Sequence, residues 1–217
     1  LFLDRTTAWD RLGLAERSDV DRLVAWLPTY RRSVTGFLTV DGLPTDSPFE
    51  LDGVDPDELN AFLAAHRAYA VVKPHPMAAF SGEQRWSHLL LLDSAHLLAR
   101  SLTLYQLLAA TDVLISDVSS VTIDFLLVDR PIIHALADLD EYRTTRGFSV
   151  ERIDDLLAGP VATSMAELEA HLASILGGAD PGAERRRHVR ERSHLHRDDG
   201  ATARLIEAVG LGASSES

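Results

Sequence analysis

The sequence contains no cysteine, which excludes a disulfide framework, a thiolate metal site and a cysteine nucleophile. No apolar run approaches the roughly 20 residues that a membrane-spanning helix needs. Neither G-x-G-x-x-G nor G-x-x-x-x-G-K-[ST] occurs, so nothing indicates NAD or ATP, and we predict no cofactor. The formal net charge of −12 argues against binding nucleic acid through the overall field of the protein. A globular protein that binds a small ligand, including an anionic one, is compatible with all of these absences.

The chain has 217 residues, 46% of them hydrophobic and 25% charged, which is typical of a folded α/β domain with a sizeable core. Apolar runs alternate with amphipathic helical patterns, and this alternation predicts a Rossmann-like parallel sheet with helices on both faces. We predict one domain over residues 1–209 and a disordered tail at 210–217. Because the chain begins without methionine, we expect it to be part of a longer protein.

Five short apolar segments have the length and composition of buried strands. They are residues 23–27, 69–73, 88–93, 112–115 and 131–135. Helical spacing predicts helices at residues 56–67, 104–110, 121–128, 164–176, 184–192 and 201–209. The segment 36–53 contains prolines, glycines and acidic residues, and is predicted to be a loop.

The sharpest local motif is S-D-V-S-S at residues 116–120, between the fourth predicted strand and the helix that follows it. Serine is a favoured helix N-cap, which is a sufficient explanation for one of the two adjacent serines. The same junction also presents free backbone N–H groups, the positive end of the helix dipole and two hydroxyls to a phosphate. Ser119 and Ser120 are therefore either capping residues or phosphate ligands.

The motif K-P-H-P at residues 73–76 follows the second predicted strand, at the edge of the sheet where ligands bind in open α/β folds. Two prolines restrict the backbone around His75, which suits an imidazole held toward a ligand. Such a histidine donates a hydrogen bond to a phosphate or protonates a leaving group. The alternative is a turn histidine without a role. Lys73 is expected to be solvated or snorkelling rather than in contact with a ligand.

Two further strand ends carry polar residues. P-T-Y-R at residues 28–31 places a hydroxyl and a guanidinium at the same edge, and the guanidinium suits a pyrophosphate. Carboxylates at residues 138–141, beyond the fifth strand, suit ribose hydroxyls. Each of these two segments is equally well explained as ordinary surface residues or as residues at the start of a helix. The convergence of four such strand ends favours a ligand site.

In this order, the motifs resemble the C-terminal half of the CDP-glycerol glycerophosphotransferase family, the teichoic acid primases and polymerases. The most specific match is L-L-A-A-T-D-V-L-I-S-D-V-S-S-V-T-I-D at residues 107–124. The other matches are residues 28–31, 73–76, 130–133, 138–142, 146–148 and 199–201. Together they span most of residues 23–209.

The resemblance implies the C-terminal half of a GT-B transferase, with residues 1–209 as its donor nucleotide-binding domain. It implies transfer of glycerol phosphate from CDP-glycerol to a hydroxyl of a growing teichoic-acid-like polyol phosphate polymer or its linkage unit. His75 is the expected catalytic residue, with no metal involved. The implied donor contacts are Thr29, Arg31, His75, Ser119, Ser120 and Glu141.

Two alternatives stay open at this point. One is a GT-B glycosyltransferase that uses a CMP-sugar or UDP-sugar in capsule polysaccharide synthesis, since polysialyltransferases share a His-Pro and a serine-pair motif. The other is a non-catalytic nucleotide-binding module. The resemblance also implies a cytoplasmic location, with the full-length protein at the inner face of the plasma membrane through regions outside this chain.

Overall fold

The computed structural model describes residues 4–29, 47–78, 80–138 and 153–210. Within these ranges the sheet has seven strands in the order β3-β4-β2-β1-β5-β6-β7. The strands are β1 (Arg22–Leu27), β2 (Ala68–Val72), β3 (Glu83–Arg85), β4 (Leu89–Leu92), β5 (Val113–Ser116), β6 (Ile132–Ala135) and β7 (Val161–Ala162). All neighbouring strands are parallel except β3, which pairs antiparallel with β4.

Eight α-helices are present in the described residues. They are α1 (Arg5–Leu12), α2 (Pro56–Ala65), α3 (Ser94–Ala99), α4 (Leu104–Ala110), α5 (Val121–Phe125), α6 (Met165–Leu176), α7 (Ala183–Ser193) and α8 (Ala201–Ala208). A 3-10 helix spans Ile153–Leu156. None of the helices in the described part of the chain has the length and apolarity to cross a membrane.

Helices cover both faces of the sheet, because the strand side chains that point to each face are apolar. In β1, Val24 and Trp26 pack on the face covered by α2 and α6. Leu23 packs on the opposite face, with α1 and α4. Strands buried on both faces read as continuous apolar runs, which is why the sequence predicted them well.

The order of the strands creates a switch point between β1 and β5, which are neighbours although β2 to β4 intervene in the chain. The chain winds outward from β1 through β2 to β4, then returns to β5 and continues in the other direction to β7. The carboxyl ends of the parallel strands lie along one edge, and ligands bind at such switch points in α/β sheets. The Rossmann-like parallel sheet predicted from the sequence is confirmed.

Each of the five predicted strands is present, and no predicted strand end is displaced by more than one residue. The predicted helix at residues 121–128 is regular only to Phe125. The chain then tightens into i to i−3 hydrogen bonds, from the Val128 N–H to the Phe125 carbonyl and from the Asp129 N–H to the Leu126 carbonyl. Residues 211–217, most of the tail predicted to be disordered, lie outside the described residues, as do residues 36–46 of the predicted loop.

Candidate functional site

A cavity of about 410 Å³ lies at the carboxyl edge of the sheet, between the ends of β1, β2 and β5. We call it the edge cavity. Its polar lining residues are Lys73, His75, Ser94, Thr103, Ser119 and Ser120. Leu97, Leu98, Leu102 and Leu104, in or beside α3 and α4, supply most of its apolar lining. A volume of this size falls within the range of about 300–1,000 Å³ that is typical of small-molecule sites.

His75 is half-buried in a short turn beyond β2. The Met77 backbone N–H donates to Nδ1 of His75 over 3.1 Å, and the Ala78 N–H donates to the His75 carbonyl over 2.9 Å. Because Nδ1 is an acceptor, the proton of the neutral ring resides on Nε2. The turn therefore fixes the ring and its tautomer, and makes Nε2 the donor nitrogen of the imidazole.

The serine pair stands at the start of α5, against the same cavity. Ser120 occupies the N-cap position, but its side chain makes no capping hydrogen bond. Ser119 Oγ accepts from the Val121 N–H over 3.4 Å, which is a long contact. Helix capping thus accounts for Ser119 at most, and the exposed hydroxyl of Ser120 has no capping role. The structure brings His75, Ser119 and Ser120 around one cavity.

Lys73 is the only lysine in the sequence, and its residue is 7% exposed. The prediction that it is solvated is wrong because the residue is buried, and it lines the edge cavity. Nζ donates to the Pro74 carbonyl over 3.4 Å, and within the described residues it forms no ion pair. Burial lowers the pKa of Lys73 below its ordinary value, and the negative charge of Asp93 opposes that shift.

Thr29, a predicted ligand contact, lies beyond β1 at the same edge of the sheet but is held by a carboxylate. Its N–H donates to Oδ2 of Asp117 over 3.0 Å, and its hydroxyl donates to the same oxygen. Asp117 is 2% exposed, and the sequence motifs gave no indication of this pairing. Arg31 and Glu141 lie outside the described residues, and their donor contacts stay predictions.

Behind the serine pair, His134 of β6 connects two loops at the carboxyl edge. Its ring is 1% exposed, and the Ala158 N–H donates to Nε2 over 2.9 Å. Nδ1 therefore carries the proton and donates to the Asp117 carbonyl over 3.1 Å. Both nitrogens are satisfied only in the neutral ring. Burial lowers the pKa of His134 to about 4 from its ordinary value of 6.5, and the hydrogen bond to Asp117 opposes the shift.

This histidine gives the fold a specific sensitivity to acid. Its pKa is lower in the folded state, so stability is complete above about pH 6.5 and falls as the pH approaches about 4. Because the pKa falls from 6.5 to about 4, the loss attributable to His134 should amount to about 2–3 kcal/mol at pH 4.5. Urea unfolding between pH 7 and 4.5 measures it as the difference between the wild-type chain and His134→Gln, with the exposed His188→Gln as control. Parallel pH profiles for wild type and His134→Gln would refute this assignment.

Two larger grooves lie elsewhere and are less suited to a ligand. One, of about 750 Å³, includes Arg5, Arg22 and Arg67 at the amino ends of the strands, opposite the switch point. Two of these arginines already pair with carboxylates, Arg5 with Asp112 and Arg67 with Asp21. The other groove, of about 860 Å³, runs along α7 among charged residues of both signs. No group of three histidine, aspartate or glutamate residues that could hold a metal ion is found within the described ranges.

Solved structures with the same fold include teichoic acid enzymes. The wall teichoic acid polymerase TagF matches with a TM-score of 0.58 at 21% identity, over 94% of this chain and 46% of that one. A TagF variant soaked with CDPG matches with a TM-score of 0.60 at 21% identity, over 94% of this chain and 44% of that one. This chain therefore spans just under half the length of those structures. No curated protein sequence gives a significant match.

The architecture is thus a GT-B type fold, an α/β sheet with its cavity at the switch point. The family model described as CDP-glycerol:poly(glycerophosphate) glycerophosphotransferase matches residues 4–211. The chain belongs to this family. The resemblance identified from the sequence motifs is confirmed.

Proposed function

We propose that this chain binds CDP-glycerol in the edge cavity and takes part in transfer of its glycerol phosphate group to a hydroxyl of a polyol phosphate chain. The observation that carries the proposal is the meeting of His75, Ser119 and Ser120 around one cavity in a member of this family. His75 is separated from the serine pair by more than 40 positions in the sequence, and their convergence supports a shared ligand.

The lining of the cavity suits the two parts of a nucleoside diphosphate. Imidazole and hydroxyl donors fit the oxygens of a diphosphate, which accepts several hydrogen bonds and carries negative charge. Leu97, Leu98 and Leu102 supply an apolar surface, which suits the flat faces of a cytosine ring. We assign the diphosphate to the side of the cavity that carries His75 and the serine pair.

The proposed reaction follows from the charge that develops during transfer. The acceptor oxygen forms a bond to the phosphorus that carries glycerol, and the bond from that phosphorus to the bridging oxygen breaks. CMP leaves with the electron pair, and a general base takes the proton of the acceptor hydroxyl. His75 Nε2–H and the serine hydroxyls would stabilise the developing negative charge without a covalent intermediate.

The acceptor and the location come from the family resemblance. We propose a teichoic-acid-like polymer or its linkage unit as acceptor, and transfer at the cytoplasmic face of the plasma membrane. The absence of cysteine is compatible with a reducing compartment.

Ligand-dependent thermal stability tests the proposed donor. At about 100 times its Kd, CDP-glycerol should stabilise the chain by about 2.7 kcal/mol. For a domain of this size the melting temperature should rise by about 5–10 °C. A UDP-sugar and CMP-sialic acid at equal concentration should produce much smaller shifts. Release of CMP from CDP-glycerol in the presence of poly(glycerophosphate) then measures transfer.

The alternatives predict different outcomes of the same measurement. A larger shift with the UDP-sugar or CMP-sialic acid would support a glycosyltransferase. The absence of any shift with nucleotides at millimolar concentration would reject donor binding by this chain. A shift with CDP-glycerol that Ser120→Ala leaves unchanged would remove Ser120 from the site.

A further inference from the structure

The chain holds 20 arginines and a single lysine, and that lysine is buried. Lysine is seldom fully buried without a partner, because removing an ammonium group from water costs several kcal/mol. Where only a positive charge on the surface is needed, this sequence uses arginine. The placement of Lys73 in the wall of the edge cavity therefore calls for a specific reason.

Within the described residues, no carboxylate pairs with this ammonium group. The one hydrogen bond of Nζ, to the Pro74 carbonyl, is 3.4 Å long and leaves two of its three donors unused in the described structure. Asp93 is the charged group whose field acts on Lys73, but it lies too far away to form an ion pair. The oxygens of Asp93 already accept from the N–H groups of Gly82 and His96 and from the His96 ring.

We infer that Lys73 is a further donor-binding residue, whose ammonium group contacts the diphosphate of the nucleotide bound in the edge cavity. This inference rests on the proposed function, since it takes the same ligand in the same cavity. Lys73 and His75 approach the cavity from one turn after β2, whereas Ser119 and Ser120 approach it from α5. A diphosphate between them would form an ion pair with the lysine ammonium group and accept hydrogen bonds from the other three residues.

The inference predicts opposite effects of one substitution on stability and on binding. Lys73→Met replaces a buried ammonium by an apolar group of similar length, which is commonly neutral or stabilising in the absence of ligand. The same variant should bind CDP about 10- to 100-fold more weakly, since a hydrogen bond to a charged group is lost. The same substitution should weaken CMP binding less than CDP binding, and should leave cytidine binding almost unchanged. Isothermal titration calorimetry with CDP, CMP and cytidine measures these differences.

A control variant and the wild-type chain complete the test. Arg22→Met removes one positive charge from an exposed position at the opposite edge of the sheet, and should leave CDP affinity unchanged. Labelling with ¹³C-lysine gives one lysine side-chain signal, because there is one lysine. Bound CDP should shift this signal and raise the pKa of Lys73, because the diphosphate stabilises the ammonium form. The affinity for CDP should then fall at alkaline pH in the wild-type chain.

The outcomes distinguish a donor-binding role of Lys73 from a purely structural one. Lower thermal stability of Lys73→Met with unchanged CDP affinity would assign Lys73 a packing role and overturn the inference. Should that variant not fold, the lysine signal still decides, since a signal that does not respond to saturating CDP also overturns it. A wild-type chain that binds no CDP would instead reject the proposed function. CDP binding that depends on His75 but not on Lys73 would reject this inference alone.

Discussion

Replacing His75 by alanine should lower kcat/KM for CDP-glycerol by about 10²- to 10⁴-fold, as expected for loss of a group that transfers or shares a proton in the transition state. The affinity for CDP should fall by about 10- to 100-fold, because a hydrogen bond to a charged oxygen is removed. Release of CMP measures the first effect and calorimetry the second. The binding readout does not depend on turnover, so it tests the site even where transfer is slow.

His75→Asn separates this function from the local fold. The asparagine oxygen can still accept from the Met77 N–H, as Nδ1 of His75 does, but no donor replaces Nε2–H. We therefore expect the variant to melt like the wild type and to bind CDP as weakly as His75→Ala. His188→Asn, at an exposed position on α7, should leave both properties unchanged. Wild-type CDP affinity in His75→Asn would show that the imidazole does not contact the donor.

Gly159→Ala should destabilise the fold by about 4 kcal/mol or more, which is exceptional for a single methyl group. An alanine Cβ at this position would lie 1.8 Å from the Ile132 carbonyl oxygen and 2.8 Å from its carbonyl carbon. The obstacle is the backbone of β6, which cannot rotate away as a side chain can. Either strand β6 or the segment before β7 must move, and urea unfolding measures the cost.

Gly177→Ala is the matched control. This glycine is exposed at the end of α6 with a φ of −74°, and an added Cβ would meet only carbonyl oxygens of its own helix, the nearest at 3.2 Å. Its substitution should change stability by less than about 1 kcal/mol. The displaced segment in Gly159→Ala also carries the Ala158 N–H that donates to His134, so weaker CDP binding should accompany the loss of stability. Wild-type stability of Gly159→Ala would contradict the close approach of these backbones.

The sequence predicted the central strands well because parallel strands are apolar on both faces, and a continuous apolar run is readable without tertiary information. It did not predict β3, where Glu83, Gln84 and Arg85 form a polar strand of three residues. Backbone pairing with β4, rather than composition, makes this segment a strand. The two-residue strand β7 was missed for the same reason.

The convergence of His75 with the serine pair followed from topology, since both motifs come directly after parallel strands. The burial of Lys73 could not be predicted in this way, because it depends on α3 and on β1, which are distant in the sequence. The pairing of Thr29 with Asp117 likewise joins residues 88 positions apart. Periodicity and local motifs carry no information on such pairs. Thr29, Arg31 and Glu141 remain predicted donor contacts.

The two ends of the sheet have a consequence for association between molecules. In the sheet formed by the described residues, both outermost strands are short, three residues in β3 and two in β7, and β3 is polar along its whole length. An outermost strand with few unpaired backbone groups and charged side chains is a poor template for strand addition by another chain. The apolar central strands, of four to six residues each, thereby lie between two still shorter strands. The sheet is protected from amyloid-like growth while its interior retains the hydrophobicity that the core requires.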